Sequence, residues 1–346
     1  MIGLVYATEH SKATTHCLQT LAASYGVPLC AYNIMDLEPD RPTVPARVWE
    51  NGKYQSIETE IPTFSDMVFG RLSFADEPEF VRRNRWLQEH TTVVDNPGVL
   101  KSGVSALMMQ SPLAPYAIPT YKPSSYEELM RLLSLLPRAI VKPVGGCMGI
   151  GVYHITRRGS TFMMEGSKEQ KELTPTQWEE YVALLKEKKF GAPILQPRLD
   201  FSFDEKHTVD FRLLVARGGS GDWEIVDIYP RIGSNRVVSN VSQGGFIGDT
   251  LEVLAFLSRE KAMELLADLK RIAAELPPLL QAQREKPIAV LGIDVGIDRE
   301  SLQPFVLEAN TKPGTKFHLW KLAEKKVQYY QYLLSRAKSE GKENLR

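Results

Sequence analysis

Cysteine is scarce in this chain of 346 residues, and the few that occur are poorly spaced for bonding. Cys17, Cys30 and Cys147 are odd in number and form no CxxC pair. Neither a disulfide framework nor a zinc knuckle is therefore expected. The start of the chain also lacks a basic leader, a long apolar stretch and a small-residue cleavage site, so we expect an intracellular, reducing compartment, the cytoplasm.

Net charge and long apolar runs are missing as well. Lys and Arg together number 42, as do Asp and Glu, so no overall field attracts nucleic acid or an anionic membrane. The longest uncharged run, 102–121, contains three prolines and several polar residues, which makes it a poor membrane span. With 43% apolar and 24% charged residues, the composition is that of a soluble globular protein of two or three domains.

The hydrophobic pattern changes along the chain. Short apolar strands alternate with helices over roughly the first hundred residues, which predicts a small parallel α/β domain. Within it, the proline-rich segment from Leu37 to Val48 is expected to break regular structure. Closely spaced strands follow, with further helices near Ser124–Leu136, Thr176–Lys188 and Ser258–Leu276, and a polar helical tail closes the chain.

A glycine-rich stretch, IVKPVGGCMGIGVYHI at 140–155, places four glycines after Lys142 and between two apolar runs. A Walker loop and a dinucleotide fold both need a helix after the glycines, whereas VYHI is a strand pattern. A protein kinase would need an HRD-type loop and a DFG sequence, and neither occurs. The stretch is predicted to be a strand–glycine–strand flap, which either binds phosphate or is a tight turn that needs positive φ.

Carboxylates interrupt two apolar strands nearer the end of the chain, LGIDVGI and PFVLEAN. Asp294 lies inside the first, and Glu308 and Asn310 are two apart on the second, so the side chains of that pair point the same way. Burying carboxylates among Ile, Val and Leu is costly unless a cation compensates them. Oxygen ligands of this kind suit Mg²⁺ shared with substrate phosphates. A solvated, surface-facing strand end is the alternative.

The glycine-rich stretch, followed by the two apolar strands that carry carboxylates, resembles the pattern of the ATP-grasp superfamily over roughly Leu100 to Gly314. The resemblance implies a metal triad of Asp294, Glu308 and Asn310. It also implies phosphate contacts from two lysines and from the backbone of the flap glycines, namely Lys101, Lys142, Gly145, Gly146, Gly149 and Gly151. As cofactors it implies ATP and two Mg²⁺ ions, with Mn²⁺ as a substitute.

The resemblance extends to the nucleotide base and to the reacting groups. ILQPRLD matches the adenine segment and supplies Gln196, Arg198 and the Leu199 backbone, although Pro197 removes one backbone donor. Asp200 and Asp204 are both candidates for the ribose. The catalytic residues implied by the pattern of peptide-type carboxylate–amine ligases are Lys142, Arg212, Arg231 and Asn240.

Some of these residues also have ordinary structural interpretations. Arg212 could be the cross-strand ion-pair partner of Asp210 or Glu224. The histidines show no ligand spacing and are interpreted as structural or surface residues, His154, His207 and His318 among them.

Within the superfamily, the chain is most similar to the YheC/YheD type associated with bacterial endospore coats. GRLSF, VDNPGVLKSG, the flap and EANTKPG carry this similarity. It implies a mixed fold, in which a small parallel α/β domain precedes a two-subdomain ATP-grasp part. The expected division is an N-terminal domain at 1–98, a small subdomain with the flap at 99–190, a large subdomain with the adenine segment and triad at 191–320, and a helical tail at 321–346.

The implied function is an ADP-forming, Mg²⁺-dependent ligase that joins a carboxylate to an amine through an acyl phosphate. Its expected partners are small-molecule or peptide substrates and spore-coat proteins, with no nucleic acid and no membrane span. Two alternatives stay open: phosphotransfer to a hydroxyl at the same nucleotide site, and a non-catalytic scaffold in the spore coat.

Overall fold

The computed structural model contains three β-sheets with helices packed on them. It describes residues 1–7, 12–68, 77–95, 103–136, 138–143, 152–166, 170–180, 193–233, 246–314 and 318–343. The sheets have six, five and five strands in the order of the chain. The mixed α/β class expected from the sequence is confirmed, whereas the division into four domains stays a prediction.

The first sheet has the strand order β4-β3-β2-β1-β5-β6, and its β2-β1-β5-β6 portion is parallel. Helix α1 packs on one face beside Ile2 and Leu4, and helix α2 covers the other face around Val5. The parallel α/β unit predicted at the start of the chain is thus present. Its elements are β1 (Ile2–Tyr6), α1 (Lys12–Ser24), β2 (Leu29–Asn33), β3 (Thr43–Glu50), β4 (Lys53–Glu60), β5 (Phe64–Met67), α2 (Pro78–His90) and β6 (Thr92–Asp95).

The antiparallel hairpin of β3 and β4 corrects one expectation, because the segment from Leu37 to Val48 was predicted to lack regular structure. Strand β3 meets β2 at the single pair Ala31–Arg47. Most of β3 therefore has a hydrogen-bonded neighbour on one side only. A proline costs a hydrogen bond in a strand that is paired on both sides, so the prolines of this segment are tolerated. Asn51 and Gly52 turn the hairpin with φ of 51° and 75°, the left-handed pair that a tight hairpin needs.

The second sheet is antiparallel, in the order β10-β9-β8-β7-β11. Its strands β7 and β8 pair directly, so the stretch between them joins neighbouring antiparallel strands, as the sequence predicted. The flap glycines lie outside the described residues. The elements are α3 (Val104–Met109), α4 (Tyr126–Leu135), β7 (Arg138–Pro143), β8 (Tyr153–Arg158), β9 (Thr161–Glu165), β10 (Gln170–Leu173) and β11 (Pro193–Pro197). Residues 175–180 are helical, and the rest of the helix expected to reach Lys188 is not among the described residues.

The third sheet is antiparallel, in the order β14-β13-β12-β15-β16, and holds the largest core. Phe211, Leu213 and Ile293 point to one face and pack against the long helix α6. Because side chains alternate along a strand, the residues between them face the other way. The elements are β12 (Val209–Arg217), β13 (Trp223–Ile232), β14 (Phe246–Ile247), α5 (Thr250–Leu257), α6 (Ala262–Ala282), β15 (Val290–Ile297) and β16 (Pro304–Asn310).

The last helix, α7 (Leu319–Glu343), packs both on the third sheet and on α1 of the first unit. A buried ionic cluster accompanies this contact. Lys326 Nζ lies 2.5 Å from Asp66 Oδ2, and the Tyr330 hydroxyl also donates to that oxygen. Asp95 lies close to this pair and accepts the Ala289 N–H at 2.9 Å. None of the helices that the structure describes has both the length and the apolar character needed to cross a bilayer.

Replacing Asp95 with asparagine should stabilise the chain at neutral and basic pH but not at acidic pH. Burial raises the pKa of Asp95 to about 6, which Lys326 opposes and Asp66 reinforces. The folded chain therefore binds the Asp95 proton more tightly than the unfolded chain does. As the pH rises from about 4 to about 6, this difference lowers the stability of the wild type, and above about pH 6 its effect is constant. Asp95→Asn keeps an acceptor for Ala289 and removes the charge. Its free energy of unfolding should exceed that of the wild type by up to about 3 kcal/mol near pH 8 and match it near pH 4.

Urea unfolding of both proteins across this pH range measures the difference. Asp40→Asn is the matched control, because Asp40 is exposed and its substitution should give no pH-dependent gain. A gain from Asp95→Asn that is the same at both ends of the range contradicts the account.

Candidate active site

Charged side chains form a row across the third sheet, on the face opposite α6. Arg212 on β12 is directly opposite Asp294 on β15, and Asp294 is directly opposite Glu308 on β16. On the other side of β12, Asp210 is opposite Arg231 on β13. Directly opposite residues of antiparallel strands lie on the same face with their Cβ atoms about 5 Å apart. Three strand pairings therefore assemble the row from residues far apart in the sequence.

Asp294 is the centre of the row and is 3% exposed. Arg212 donates Nε to its Oδ1 and Nη2 to its Oδ2, the second bond at 2.9 Å, and Arg231 Nη2 also lies 2.9 Å from Oδ2. Burial alone would raise the pKa of Asp294, but the two guanidinium groups outweigh it and hold the pKa below its usual value. Asp294 is thus an ionised, buried carboxylate.

The sequence around Asp294 makes room for Arg212. A Cβ atom on Gly292 would lie 2.6 Å from Pro313 Cβ and 3.0 Å from Arg212 Nη1. Only glycine fits beside the guanidinium and the chain that follows β16, because such distances are shorter than van der Waals contact.

Arg231 is held by a second carboxylate. Its Nε donates to Asp210 Oδ1 at 2.6 Å and its Nη2 to Asp210 Oδ2 at 2.7 Å. Burial lowers the pKa of the Arg231 guanidinium, but Asp210 and Asp294 raise it by a larger amount. The pKa of Arg231 therefore lies above its usual value. Arg231 is a fixed cation beside the buried carboxylate.

Glu308 and Asn310 point the same way, as their spacing predicted. Asn310 Nδ2 donates to Glu308 Oε1 at 2.7 Å. Both side chains are half-buried, in contrast to Asp294. Glu308 is directly opposite Asp294 in the register of β15 and β16. The three residues implied as a metal triad therefore lie together at one end of the row.

Lys142 on β7 brings the second sheet to this end of the row. Burial lowers the pKa of its ammonium group, and the negative charge of Glu308 raises it. Such an effect requires the two groups to be close. The charge of Glu308 on β16 thus acts on Lys142, which belongs to a different sheet.

The donor set at this end fits Mg²⁺. It offers the carboxylates of Asp294 and Glu308 and the side-chain amide oxygen of Asn310, all hard oxygen donors. The oxygens of Asp294 are shared with two arginines, so Glu308 and Asn310 are its more open members. Elsewhere in the described residues, no group of three or more His, Cys, Asp or Glu is arranged to hold a metal.

The predicted adenine segment lies on β11, at the edge of the second sheet. Gln196 is buried and donates Nε2 to Thr120 Oγ1 at 2.7 Å. The backbone N–H of Arg198 donates to the Arg138 carbonyl, and its guanidinium lies 3.4 Å from Glu165. Leu199 follows the strand and makes no backbone hydrogen bond within the described residues. The assignment of the Leu199 backbone to the adenine stays a prediction.

The two ribose candidates, Asp204 and Asp200, belong to a loop after β11. Asp204 binds His207 Nδ1 and the backbone N–H groups of Lys206 and His207. The His207 bond is the largest of the causes that lower the pKa of Asp204 to about 2. Asp200 accepts the N–H of Ser202. The structure does not bring Asp204 into contact with the charged row, and its assignment stays a prediction.

Several predicted residues lie outside the described part of the chain, namely Lys101, Gly145, Gly146, Gly149, Gly151 and Asn240. One structural alternative is corrected: Arg212 does not pair with Asp210 or Glu224. Its carboxylate partner is Asp294, while Asp210 pairs with Arg231 and Glu224 with Lys325. Sequence reasoning missed Asp210 as part of the site, although its position two residues before Arg212 on one strand places both on the same face.

Comparisons with known proteins give a family and a fold. A family model described as "YheC/D like ATP-grasp" matches residues 91–339. The endospore coat-associated protein YheC of Bacillus subtilis (strain 168) is 25% identical over 96% of this chain and 95% of its own length.

Two solved structures share the ATP-grasp fold with this chain. One is a Chryseobacterium gregarium RiPP-associated ATP-grasp ligase in complex with ADP and a leader and core peptide, with a TM-score of 0.53, 10% identity, and coverage of 95% of this chain and 97% of that one. The other is D-alanyl-alanine synthetase A of Vibrio cholerae O1 biovar eltor, with a TM-score of 0.50, 12% identity and 96% coverage of both chains.

Replacing Arg212 with glutamine should destabilise the chain strongly. The substitution leaves the buried Asp294 carboxylate with Arg231 as its remaining guanidinium partner, and breaking a buried ion pair costs about 3–5 kcal/mol. Chemical denaturation measures the change. Arg271→Gln is the matched control, because the exposed Arg271–Glu275 pair should leave the midpoint unchanged. Equal, small effects of both substitutions would show that the row is not a buried ionic network.

Proposed function

The chain belongs to the YheC/D-like ATP-grasp family, and on that basis we propose that it is a Mg²⁺-dependent, ADP-forming ligase that joins a carboxylate to an amine. The observation that carries the proposal is the row of Arg231, Arg212, Asp294 and Glu308 facing Lys142. This row combines fixed cations for phosphate oxygens with oxygen donors for a metal at the meeting point of two sheets.

Crowded negative charge is the main obstacle when a carboxylate attacks the γ-phosphate of ATP. Catalysis of phosphoryl transfer is therefore largely positioning and electrostatic stabilisation. In this proposal Lys142 and Lys101 neutralise phosphate oxygens, and the flap backbone N–H groups approach the phosphates. When bound, Mg²⁺ held by Glu308, Asn310 and Asp294 would supply further positive charge.

Arg231 is assigned to the γ-phosphate and to the oxyanion of the tetrahedral intermediate. Its Nε and Nη2 are committed to Asp210 and Asp294, so the remaining donors of the planar fork are the ones proposed for the substrate. Arg212 is proposed to fix Asp294, and Asn240 to assist at the reacting carboxylate.

The nucleotide is assigned to Lys142 on the second sheet and to the charged row on the third sheet. Gln196, Arg198 and the Leu199 backbone are proposed for adenine, and Asp204 or Asp200 for ribose. Since the solved Chryseobacterium ligase complex contains ADP and peptide, it supports nucleotide binding and an amino-acid or peptide substrate here. The YheC relative is named for the endospore coat, which supports a coat-associated role in the cytoplasm of the mother cell.

ADP release from Mg-ATP, measured with a panel of carboxylates and amines, tests the proposal. Wild-type release should require Mg²⁺, a carboxylate and an amine together. Glu308→Gln should lower the rate by about 100-fold or more, because the amide is a weaker ligand than the carboxylate for the Mg²⁺ that would supply positive charge to the phosphates. Glu300→Gln is the matched control, since Glu300 lies in the β15–β16 connection with its side chain 85% exposed, and it should keep the wild-type rate.

Two other results would contradict the ligase. ADP release that depends on an alcohol and not on an amine would make the chain a phosphotransferase. No release with any pair, in a folded protein, would favour a coat scaffold.

A further inference from the structure

His318 immediately precedes α7 and stacks on Tyr229 of the third sheet. The ring centroids are 4.1 Å apart and the planes are inclined by 24°. His318 Nδ1 lies 2.9 Å from Asp227 Oδ2. Asp227 and Tyr229 are two apart on β13, so both lie on the face that carries the charged row.

Asp227 is itself held in place. Its Oδ1 accepts the backbone N–H of Ile228 at 2.9 Å, and its Oδ2 accepts Lys321 Nζ at 2.6 Å. A carboxylate can only accept hydrogen bonds when ionised, so His318 Nδ1 carries the proton that this contact requires. The tautomer leaves Nε2 with a free lone pair.

The free nitrogen is buried. His318 Nε2 has no hydrogen-bond partner within the residues that the structure describes, although it is closed off from solvent. Buried polar atoms are normally paired, so an unpaired one marks a position where a ligand atom can complete the bonding.

The ring of His318 stacks on a residue next to the charged row. Tyr229 is directly opposite Arg212 and two residues before Arg231 on β13. Burial raises the pKa of Tyr229, while Arg212 and Arg231 lower it. Asp227, which Nδ1 contacts, lies on one side of Tyr229 along β13, and Arg231 lies on the other side.

The imidazole is neutral at neutral pH. Burial is the largest cause and lowers the pKa of His318, Lys321 lowers it further, and Asp227 raises it without reversing the direction. The groups that face the ring are Asp227 and Tyr229 from β13 and Lys321 from α7, with Arg212 and Arg231 beyond Tyr229.

We propose that His318 is the general base that deprotonates the amine acceptor, with Asp227 as its positioning residue. The inference rests on the proposed ligase function and deepens it. An ammonium acceptor is not nucleophilic, and it would donate its first proton to His318 Nε2. The neutral amine then forms the C–N bond at the acyl phosphate carbonyl as the C–O bond to phosphate breaks. Both protons leave with inorganic phosphate, the first of them by way of His318.

Hydroxylamine separates this step from the formation of the acyl phosphate. It is a neutral nucleophile near neutral pH and needs no base to capture an acyl phosphate as a hydroxamate. With Mg-ATP and a panel of the common amino acids as carboxylates, His318→Gln should keep hydroxamate formation within about twofold of the wild type. Capture of the same amino acids as amines should fall by about 100-fold or more.

His90→Gln is the control, because His90 is exposed and lies at the end of α2 in the first unit. It should change neither reaction. Asp227→Asn tests the pH dependence of amine capture, which would not change if Asp227 and His318 had only a structural role. Amine capture should rise through a pKa below the usual histidine value in the wild type and through a still lower one in Asp227→Asn, because the carboxylate that raises the pKa is gone.

The outcomes distinguish the two claims. Equal loss of hydroxamate and amide formation in folded His318→Gln overturns the assignment of His318 and leaves the ligase intact. An unchanged rate of amine capture overturns it as well. A wild-type chain that releases no ADP and forms no hydroxamate overturns the proposed function, and the assignment with it.

Discussion

A buried carboxylate, Asp294, stays ionised in the third sheet because two guanidinium groups reach it, Arg212 from the adjacent β12 and Arg231 from β13 beyond it. The desolvation of such a charge is expensive, and loss of either partner leaves it only partly compensated. The register of β12, β13 and β15 therefore has to be kept, since a slip of one residue would turn these side chains to the face covered by α6. The geometry around Glu308 and Arg231 follows from that register.

The rest of the molecule supports this row from two sides. On one side, the second sheet carries Lys142, and the charge of Glu308 raises the pKa of its ammonium group. Helix α7 begins next to His318, over the row, and further along carries Lys326 into the first unit, where it binds Asp66. One helix thus connects the candidate site to the N-terminal sheet.

The sequence predicted what depends on local pattern and missed what depends on packing. Strand alternation was enough to predict that Glu308 and Asn310 share a face, and the strand after the flap was recognisable from its apolar residues. The β3–β4 hairpin was missed because prolines outweighed the Asn51–Gly52 turn signal. Helix α6 continues through Pro277 and Pro278 because Leu276 and Leu280 are buried in the core. The partners of Arg212 and His318 come from distant strands, and no local pattern contains that information.

A structure of the chain with Mg²⁺ and a non-hydrolysable ATP analogue tests the central claim most directly. The account predicts the triphosphate between Lys142 and the charged row, a metal ion bound by oxygens of Glu308 and Asn310, and the adenine beside Leu199. It also predicts that Arg212 keeps its contact with Asp294. A nucleotide bound elsewhere, or a triphosphate in this cleft with no metal on Glu308 or Asn310, would contradict it.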